Sequence, residues 1–101
     1  MAAPPSRDDT ILSVIRMVGP GEVVTYGEIA ADAGFPKQSR LVGRLLSQHS
    51  GTHDLPWWRV VNAAGRLVPG NEREQAALLR AEGVSVVEGK VRAAPHGRFR
   101  R

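Results

Sequence analysis

Apolar residues recur at helical spacing near the start of the chain, after a short segment that has no such pattern. Residues 1–7 contain two prolines and several small side chains, which predict a disordered lead-in. A first helix is predicted from Asp8 or Asp9, because apolar residues then recur every three or four positions: Ile11, Leu12, Ile15 and Val18. The run Gly19-Pro20-Gly21 predicts its end.

Two further helices are predicted close together. Thr25 and Glu28 have the spacing of a capping box, so a second helix is expected over residues 26–33, just before a glycine. A third helix is predicted over residues 37–48, after a turn that contains proline. Two short helices joined by a glycine-containing turn are typical of a helix-turn-helix motif.

The third helix is predicted to have two unlike faces. Its basic and long polar residues fall within about 80° of arc, at 100° per residue: Lys37, Arg40, Arg44 and Gln48. The far side is apolar: Val42, Leu45 and Leu46. A solvated charged face is the ordinary explanation, but five residues from Lys37 to Arg66 are basic and only Asp54 is acidic. We therefore expect this face to bind phosphates. A glycine at position 43 destabilises the helix by about 1 kcal/mol relative to Ala. A close approach of another backbone, from protein or nucleic acid, would explain why glycine is tolerated there.

Both tryptophans of the chain are adjacent, between a proline and an apolar run. Pro56 restricts the backbone around it, and if a strand follows, Trp57 and Trp58 point in opposite directions. One would then line a cleft while the other faces the core; the alternative is that both are core aromatics. Residues 59–62 and 66–68 predict a β-hairpin, which after a helix-turn-helix would be the wing of a winged helix.

The remainder of the chain predicts one more helix and an extended segment. Asn71 and Glu74 are expected to cap a fourth helix that ends at Gly83. Valines around Gly89 predict a terminal extended segment or hairpin. Residues 93–101 are basic and are expected to form a flexible tail. The predicted fold class is therefore α/β, mainly α, with a single winged helix-turn-helix domain over residues 8–92.

The composition narrows the possible chemistry. The chain has 101 residues, a net charge of +4 and a pI near 10.7, which favour an anionic partner such as nucleic acid. It has no cysteine, which excludes disulfides and thiol chemistry, and its dispersed histidines predict no zinc site. No cofactor is expected. No segment resembles a membrane span or a leader, so we expect a cytoplasmic protein, associated with the nucleoid if bacterial, with no membrane partner.

Four segments of the sequence resemble a known family. In chain order they read VVTYGEIA (23–30), PKQSRLVG (36–43), PWWRVV (56–61) and AEG (81–83). Together they are similar to the DNA-binding domain of O6-alkylguanine-DNA alkyltransferases, over about residues 18–83. Those enzymes have Pro-Cys-His-Arg where this chain has Pro56-Trp57-Trp58-Arg59. A subset of the family, the alkyltransferase-like proteins, resembles this chain in having Trp at the position of the cysteine.

The resemblance implies roles for single residues. The family's base-displacing tyrosine falls on Tyr26, its arginine finger on Arg40 and its acceptor cysteine on Trp57. The DNA-binding residues that we expect are Tyr26, Lys37, Ser39, Arg40, Gly43 and Arg44. The residues expected to line the base pocket are Tyr26, Leu46, Trp57, Trp58, Arg59 and Val60.

Two positions depart from the pattern of the family. The motif histidine of the enzymes is replaced by Trp58, and a hinge asparagine is replaced by His49. Glu82 resembles the glutamate that polarises that histidine in the enzymes. Because no histidine is present here, we expect Glu82 to have a structural role. The resemblance places the pocket-wall segment of the enzymes on residues 68–73, after the predicted hairpin. This segment does not match the enzymes well, so no residue of it is assigned a contact.

These residues permit the binding of an extruded base but not the reaction of the enzymes. A guanine O6 substituent can be enclosed only when its nucleotide leaves the stack. Arg40 is suited to fill the vacated space, and Trp57 to stack on the base. Dealkylation requires a thiolate, which an indole cannot replace. We therefore predict a monomeric, non-enzymatic sensor of O6-alkylguanine in double-stranded DNA, and the resemblance implies that it marks the lesion for nucleotide excision repair.

Two other functions stay open at this point. An ordinary winged-helix transcriptional regulator would explain the basic helix, but it gives no task to Trp57 and usually dimerises. The protein could also be an enzyme, either a residual alkyltransferase or a glycosylase. The lack of cysteine argues against an alkyltransferase, and the lack of an obvious catalytic acid or lysine in the expected pocket argues against a glycosylase. Preference for damaged DNA separates the sensor from the regulator. Analysis of the DNA after incubation separates both from the enzyme.

Overall fold

The computed structural model describes residues 5–49 and 55–100, which form four helices and five short strands. The helices are α1 (Arg7–Arg16), α2 (Tyr26–Asp32), α3 (Ser39–His49) and α4 (Glu72–Ala81). The strands are β1 (Glu22–Thr25), β2 (Val60–Val61), β3 (Ser85–Val87), β4 (Lys90–Ala93) and β5 (His96–Gly97). A single 3-10 turn covers Trp57–Arg59. The four predicted helices are thus confirmed, with ends shifted by one or two residues. None of the helices in the two described ranges is long and apolar enough to cross a membrane.

Local capping explains where α2 begins and ends. The Glu28 N–H donates to Thr25 Oγ1 at 3.1 Å, and the Thr25 N–H donates to Glu28 Oε1 at 3.0 Å. This reciprocal pair is the predicted capping box. At α4 the Asn71 side chain makes no capping hydrogen bond, so the capping role predicted for it is wrong. After α2 the chain turns at Gly34, whose φ of 91° is accessible to glycine at little cost. The turn brings α3 back against α2, which confirms the predicted helix-turn-helix arrangement.

The central strand β1 pairs in parallel with a strand on either side. Val24 and Thr25 lie opposite Val60 and Val61 of β2, and the start of β1 lies opposite β5. The side chains of β1 and β2 alternate between two apolar clusters, as expected for a pleated strand. One cluster contains α1, α2 and α3, and the other contains α4 and the C-terminal strands. The small sheet therefore separates two halves of one core.

The hairpin predicted from residues 59–62 and 66–68 is wrong. Val60 and Val61 are fully buried and pair with β1, while Arg66 forms a bridge with Lys90. Two backbone N–H groups of the intervening turn donate to Asn62 Oδ1, at 2.8 Å and 3.0 Å, so the turn is closed by a side chain. An apolar strand that is buried on both faces is better placed beside β1 than on an exposed wing. Among the described residues, the antiparallel hairpin is β3 with β4, as the valine pattern predicted.

The expected flexible tail also differs from the structure. Residues 93–100 continue from β4 into β5, where the His96 N–H donates to the Gly21 carbonyl and the Arg98 N–H to the Val23 carbonyl. Gly97 lies so close to β1 that a Cβ atom there would be 2.5 Å from the Val23 carbonyl oxygen. Phe99 packs against the second apolar cluster. Backbone pairing therefore orders a segment whose basic composition predicted disorder.

Candidate nucleic-acid interface and base pocket

The exposed face of α3 is basic. Arg40 and Arg44 are exposed there, whereas the opposite face is buried: Leu41, Val42, Leu45 and Leu46. Ser39 is the first residue of the helix and is exposed, and Lys37 lies just before the helix instead of within it. The predicted amphipathic pattern of this helix is thus confirmed, and the helix itself contains no acidic residue. A surface of this kind attracts phosphates.

A pocket of about 120 Å³ opens beside this basic face. Its lining comes from α2, α3, the 3-10 turn and the segment before α4: Tyr26, Gly43, Leu46, Ser47, Trp57, Val68 and Asn71. Cavities of about 150 Å³ hold a single aromatic ring, so the volume is of the right order for part of a planar base. No lining side chain carries a formal charge when Tyr26 is protonated. The pocket therefore suits a neutral, planar ligand.

The structure brings only some of the predicted pocket residues together. Tyr26, Leu46 and Trp57 line the pocket, and Gly43, predicted as a DNA contact, lies in its wall as well. The other three predicted pocket residues do not line it: Trp58, Arg59 and Val60. Val68 and Asn71 belong to the segment, residues 68–73, on which the resemblance placed a pocket wall without assigning any contact, and Ser47 was not predicted. Ser47 follows Gly43 by four residues on α3, a spacing that could have revealed it, whereas residues 68–71 arrive from a distant part of the chain.

The two tryptophans diverge, as predicted, although they lie in a 3-10 turn and not in a strand. Their ring centroids are 6.4 Å apart and their planes are nearly perpendicular, at 88°. Trp57 packs against the cluster of the first three helices and lines the pocket. Trp58 packs against the other cluster. One indole is therefore available to a ligand while its neighbour anchors the turn.

Glu82 explains why Trp58 and Arg59 face away from the pocket. Its carboxylate accepts from the Trp58 indole N–H at 3.0 Å, from the Arg59 guanidinium at 2.7 Å and from the Gly21 N–H at 3.0 Å. Burial alone would raise the pKa of Glu82, but these hydrogen bonds and the charge of Arg59 outweigh it and lower the pKa. Arg59 also donates to the Val18 carbonyl at 2.8 Å. These contacts agree with the structural role predicted for Glu82.

Gln75 connects two walls of the pocket from behind. This side chain of α4 is fully buried, and its Oε1 accepts from the Val68 N–H at 2.7 Å. Its Nε2 donates to the carbonyls of Trp58 and Val60 at 3.1 and 3.2 Å. Val68 and Trp57 both line the pocket, so the Gln75 amide fixes the spacing between the Val68 wall and the turn that carries Trp57. Nothing in the sequence pattern distinguished Gln75 from an ordinary polar helix residue.

Tyr26 stands at the junction of the basic face and the pocket. It is the first residue of α2, is half-buried, and packs against the first apolar cluster. Burial raises the pKa of its phenol, so the hydroxyl is protonated at neutral pH. A Cβ atom at Gly43 would lie 4.0 Å from the Tyr26 ring, at ordinary contact distance. Among the residues in the two described ranges, no group of three or more His, Asp or Glu side chains is positioned to hold a metal ion; His53 and Asp54 lie outside those ranges.

A helix-turn-helix with a basic second helix is an arrangement typical of DNA-binding domains, and here a neutral pocket that contains an indole lies next to it. Comparison with known proteins specifies the class. The family model for the DNA-binding domain of 6-O-methylguanine DNA methyltransferase matches residues 7–84. The chain belongs to this family.

Individual relatives agree with the family assignment. A DNA base-flipping protein of Vibrio parahaemolyticus is 42% identical over 84 residues, which cover 80% of this chain and 84% of that protein. The DNA base-flipping protein of Escherichia coli is 39% identical over 79 residues, which are 60% of its own length. The crystal structure of Schizosaccharomyces pombe Atl1 in complex with damaged DNA containing O6-carboxymethylguanine is similar, with a TM-score of 0.75 and 30% identity. The matched region covers 89% of this chain and 90% of the Atl1 chain. The predicted fold and resemblance are thereby confirmed.

Proposed function

We propose that this protein is a non-enzymatic sensor of DNA damage. It binds duplex DNA through the exposed basic face of α3, and it holds an extruded O6-alkylguanine in the adjacent pocket against Trp57. The observation that carries the proposal is the position of Trp57, whose indole lines a neutral pocket beside Arg40 and Arg44 on the basic helix. The names of the relatives, which include DNA base-flipping proteins, support the same function.

The energies of extrusion and capture are comparable. Extrusion of a nucleotide costs a few kcal/mol, and less where damage has weakened the pair. Stacking of a base on an aromatic side chain contributes about 1–3 kcal/mol. Trp57 is held in place from both sides, by the first apolar cluster and by the anchored Trp58. A pre-positioned indole loses little freedom on binding, so stacking can offset most of the extrusion cost.

The pocket residues support binding without alkyl transfer. The chain has no cysteine to accept an alkyl group. The phenol of Tyr26 is protonated at neutral pH, because burial raises its pKa, and it is therefore a poor nucleophile. Glu82, which could otherwise activate a neighbour, accepts hydrogen bonds from Trp58 and Arg59 on the far side of the turn. In our proposal the lesion remains intact and is passed to nucleotide excision repair, whose proteins are the proposed partners.

Binding titrations with chemical analysis of the DNA test the proposal. Matched duplexes with guanine or O6-methylguanine at one position are titrated at one fixed salt concentration, because affinity for DNA depends on salt. We expect tighter binding to the alkylated duplex and full recovery of the lesion afterwards. Equal affinity for both duplexes would favour a sequence-reading regulator, and loss of the alkyl group or of the base would indicate an enzyme.

Two alanine variants test the residues that are expected to contribute to binding of both duplexes. Arg40→Ala removes an exposed charge from α3, so it should weaken binding to both duplexes. Tyr26→Ala should also weaken both, because Tyr26 lies where the basic face meets the pocket. A salt series on Arg40→Ala should give a shallower dependence of affinity on salt than the unmodified protein. An unchanged salt dependence would show that Arg40 does not approach a phosphate.

A further inference from the structure

A second groove, of about 300 Å³, lies between α1, β1 and α2. Four of its lining residues belong to the first apolar cluster or pack against it: Val14, Val18, Val24 and Ile29. The others are Met17, Glu22 and Asp32. None of these described lining residues belongs to the basic helix α3 or to the base pocket. We call this second site the α1–α2 groove.

Met17 presents an exposed apolar side chain at the α1–α2 groove. It directly follows α1, and its N–H donates to the Val14 carbonyl at 3.2 Å, so the backbone fixes its position. Its side chain is 83% exposed, more than any other large apolar side chain in residues 5–49 and 55–100. A single exposed apolar residue is common, but this one borders an apolar groove. Flexible methionines are typical of surfaces that bind other proteins.

The charge of the α1–α2 groove is opposite to that of the protein. The chain has a net charge of +4, whereas the described lining residues include two carboxylates and no basic side chain. Asp32, the last residue of α2, is exposed, and among the described residues its carboxylate has no hydrogen-bond or ion-pair partner. Glu22 accepts from the Gly19 N–H through Oε1 at 3.0 Å. Two carboxylates repel the phosphates of DNA and attract basic groups.

We propose that the α1–α2 groove binds a partner protein through a short segment in which a lysine or arginine lies beside an apolar anchor residue. The anchor enters the groove next to Met17, and the basic side chain pairs with Asp32. The volume is at the lower end of the range for small-molecule sites, so it accommodates a few side chains of such a segment. A second copy of the chain is a poorer partner, because two chains of net charge +4 repel each other. The inference goes beyond the proposed function and does not depend on it.

Selection from a displayed library of random peptides, each of about twelve residues, tests this inference. The library is bound to the unmodified protein after depletion on the Met17→Ser variant, so that peptides bound elsewhere are removed. We expect the retained peptides to carry a lysine or arginine beside a large apolar residue. Their affinity should fall about 5-fold or more for Asp32→Lys, since an attraction becomes a repulsion. Both side chains are exposed, so neither substitution should prevent folding.

Glu88→Lys is the matched control for the change of charge. Glu88 is exposed in the turn between β3 and β4 and does not line the groove, so its reversal should leave the affinity for the retained peptides nearly unchanged. Methyl NMR then locates the bound peptide. The chain has two methionines, so ¹³C-methyl labelling gives two methionine signals, and Met17→Ser identifies the one from Met17. A retained peptide should shift that signal.

Three results would overturn the inference. The first is that no peptide is retained after depletion. The second is that the retained peptides lack basic residues or bind Asp32→Lys as tightly as the unmodified protein. The third is a Met17 methyl signal that shifts with protein concentration alone, since a second copy would then cover the groove. Each of these results leaves the proposed function intact, because the base pocket shares none of the described residues that line the groove.

Discussion

Replacement of Gln75 by leucine should destabilise the protein substantially and deform the pocket. The side chain is fully buried, and leucine has a similar size but no polar atoms. The change removes the partner of the Val68 N–H and the donor to the carbonyls of Trp58 and Val60. A buried polar group left without a partner costs about 1–3 kcal/mol, and the burial of the more apolar leucine side chain offsets part of that cost.

The expected net loss for Gln75→Leu is about 2–4 kcal/mol of unfolding free energy, since three hydrogen bonds disappear together. In a domain of this size each kcal/mol lowers the melting temperature by about 4–8 °C, so a fall on the order of 10 °C or more is expected. Urea unfolding followed by tryptophan fluorescence measures the loss of unfolding free energy directly. The preference for alkylated DNA should also weaken, because the Val68 wall is no longer tied to the Trp57 turn.

Gln75→Glu provides the control at nearly constant shape. An ionised carboxylate still accepts from the Val68 N–H, but it faces two carbonyls to which it cannot donate. Protonation restores one donor, so this variant should regain stability relative to the parent as the pH is lowered. If Gln75→Leu were as stable as the parent and kept the same preference for alkylated DNA, the role assigned to Gln75 would be refuted.

Three further predictions concern the pocket and the residues that hold it. Gly43→Ala should stabilise the protein by up to about 1 kcal/mol in thermal unfolding, because a methyl group 4.0 Å from the Tyr26 ring does not clash. The same methyl group narrows the pocket, so binding of the lesion should weaken, and tighter binding would contradict this prediction. The pKa of Glu82 is lower in the folded protein than its ordinary value near 4.5, so the stabilisation from the ionised carboxylate is complete above that ordinary pKa and is lost as the pH falls through the folded-state pKa. Between pH 7 and pH 3 the melting temperature should therefore fall more steeply for the parent than for Glu82→Gln. Trp57→Cys should not restore alkyl transfer, since Trp58 stands where an activating histidine would be needed, and detection of alkyl-cysteine by mass spectrometry would show that the site chemistry is misassigned.

Local signals in the sequence predicted local structure well. The capping box of Thr25 and Glu28 marked the start of α2, and the alternating faces of α3 predicted which side is buried. The divergence of Trp57 and Trp58 was predicted from their adjacency, whereas the assignment of Trp57 to the pocket came from the resemblance and not from spacing. These features depend on residues within a few positions of each other, where spacing and stereochemistry decide the outcome.

Features that depend on distant partners were not predictable from spacing. Val60 and Val61 were expected in a hairpin, but their pairing with β1 depends on a strand more than thirty residues earlier. The tail was expected to be flexible because it is basic, whereas its order comes from backbone hydrogen bonds and from the close approach of Gly97 to β1. The polar residues of α4 gave no signal of their own, because the role of Gln75 is set by carbonyls that the fold brings to it.

In our proposal Trp57 receives the extruded base, and comparison of two variants on matched duplexes tests this role most directly. Affinities for guanine and O6-methylguanine duplexes are measured at one salt concentration for the unmodified protein, Trp57→Ala and Arg40→Ala. Loss of stacking worth about 1–3 kcal/mol predicts that Trp57→Ala loses most of the preference for the lesion, about 5-fold or more, while Arg40→Ala weakens both duplexes. Equal losses on both duplexes for Trp57→Ala would contradict the claim and leave Trp57 as a residue of the core.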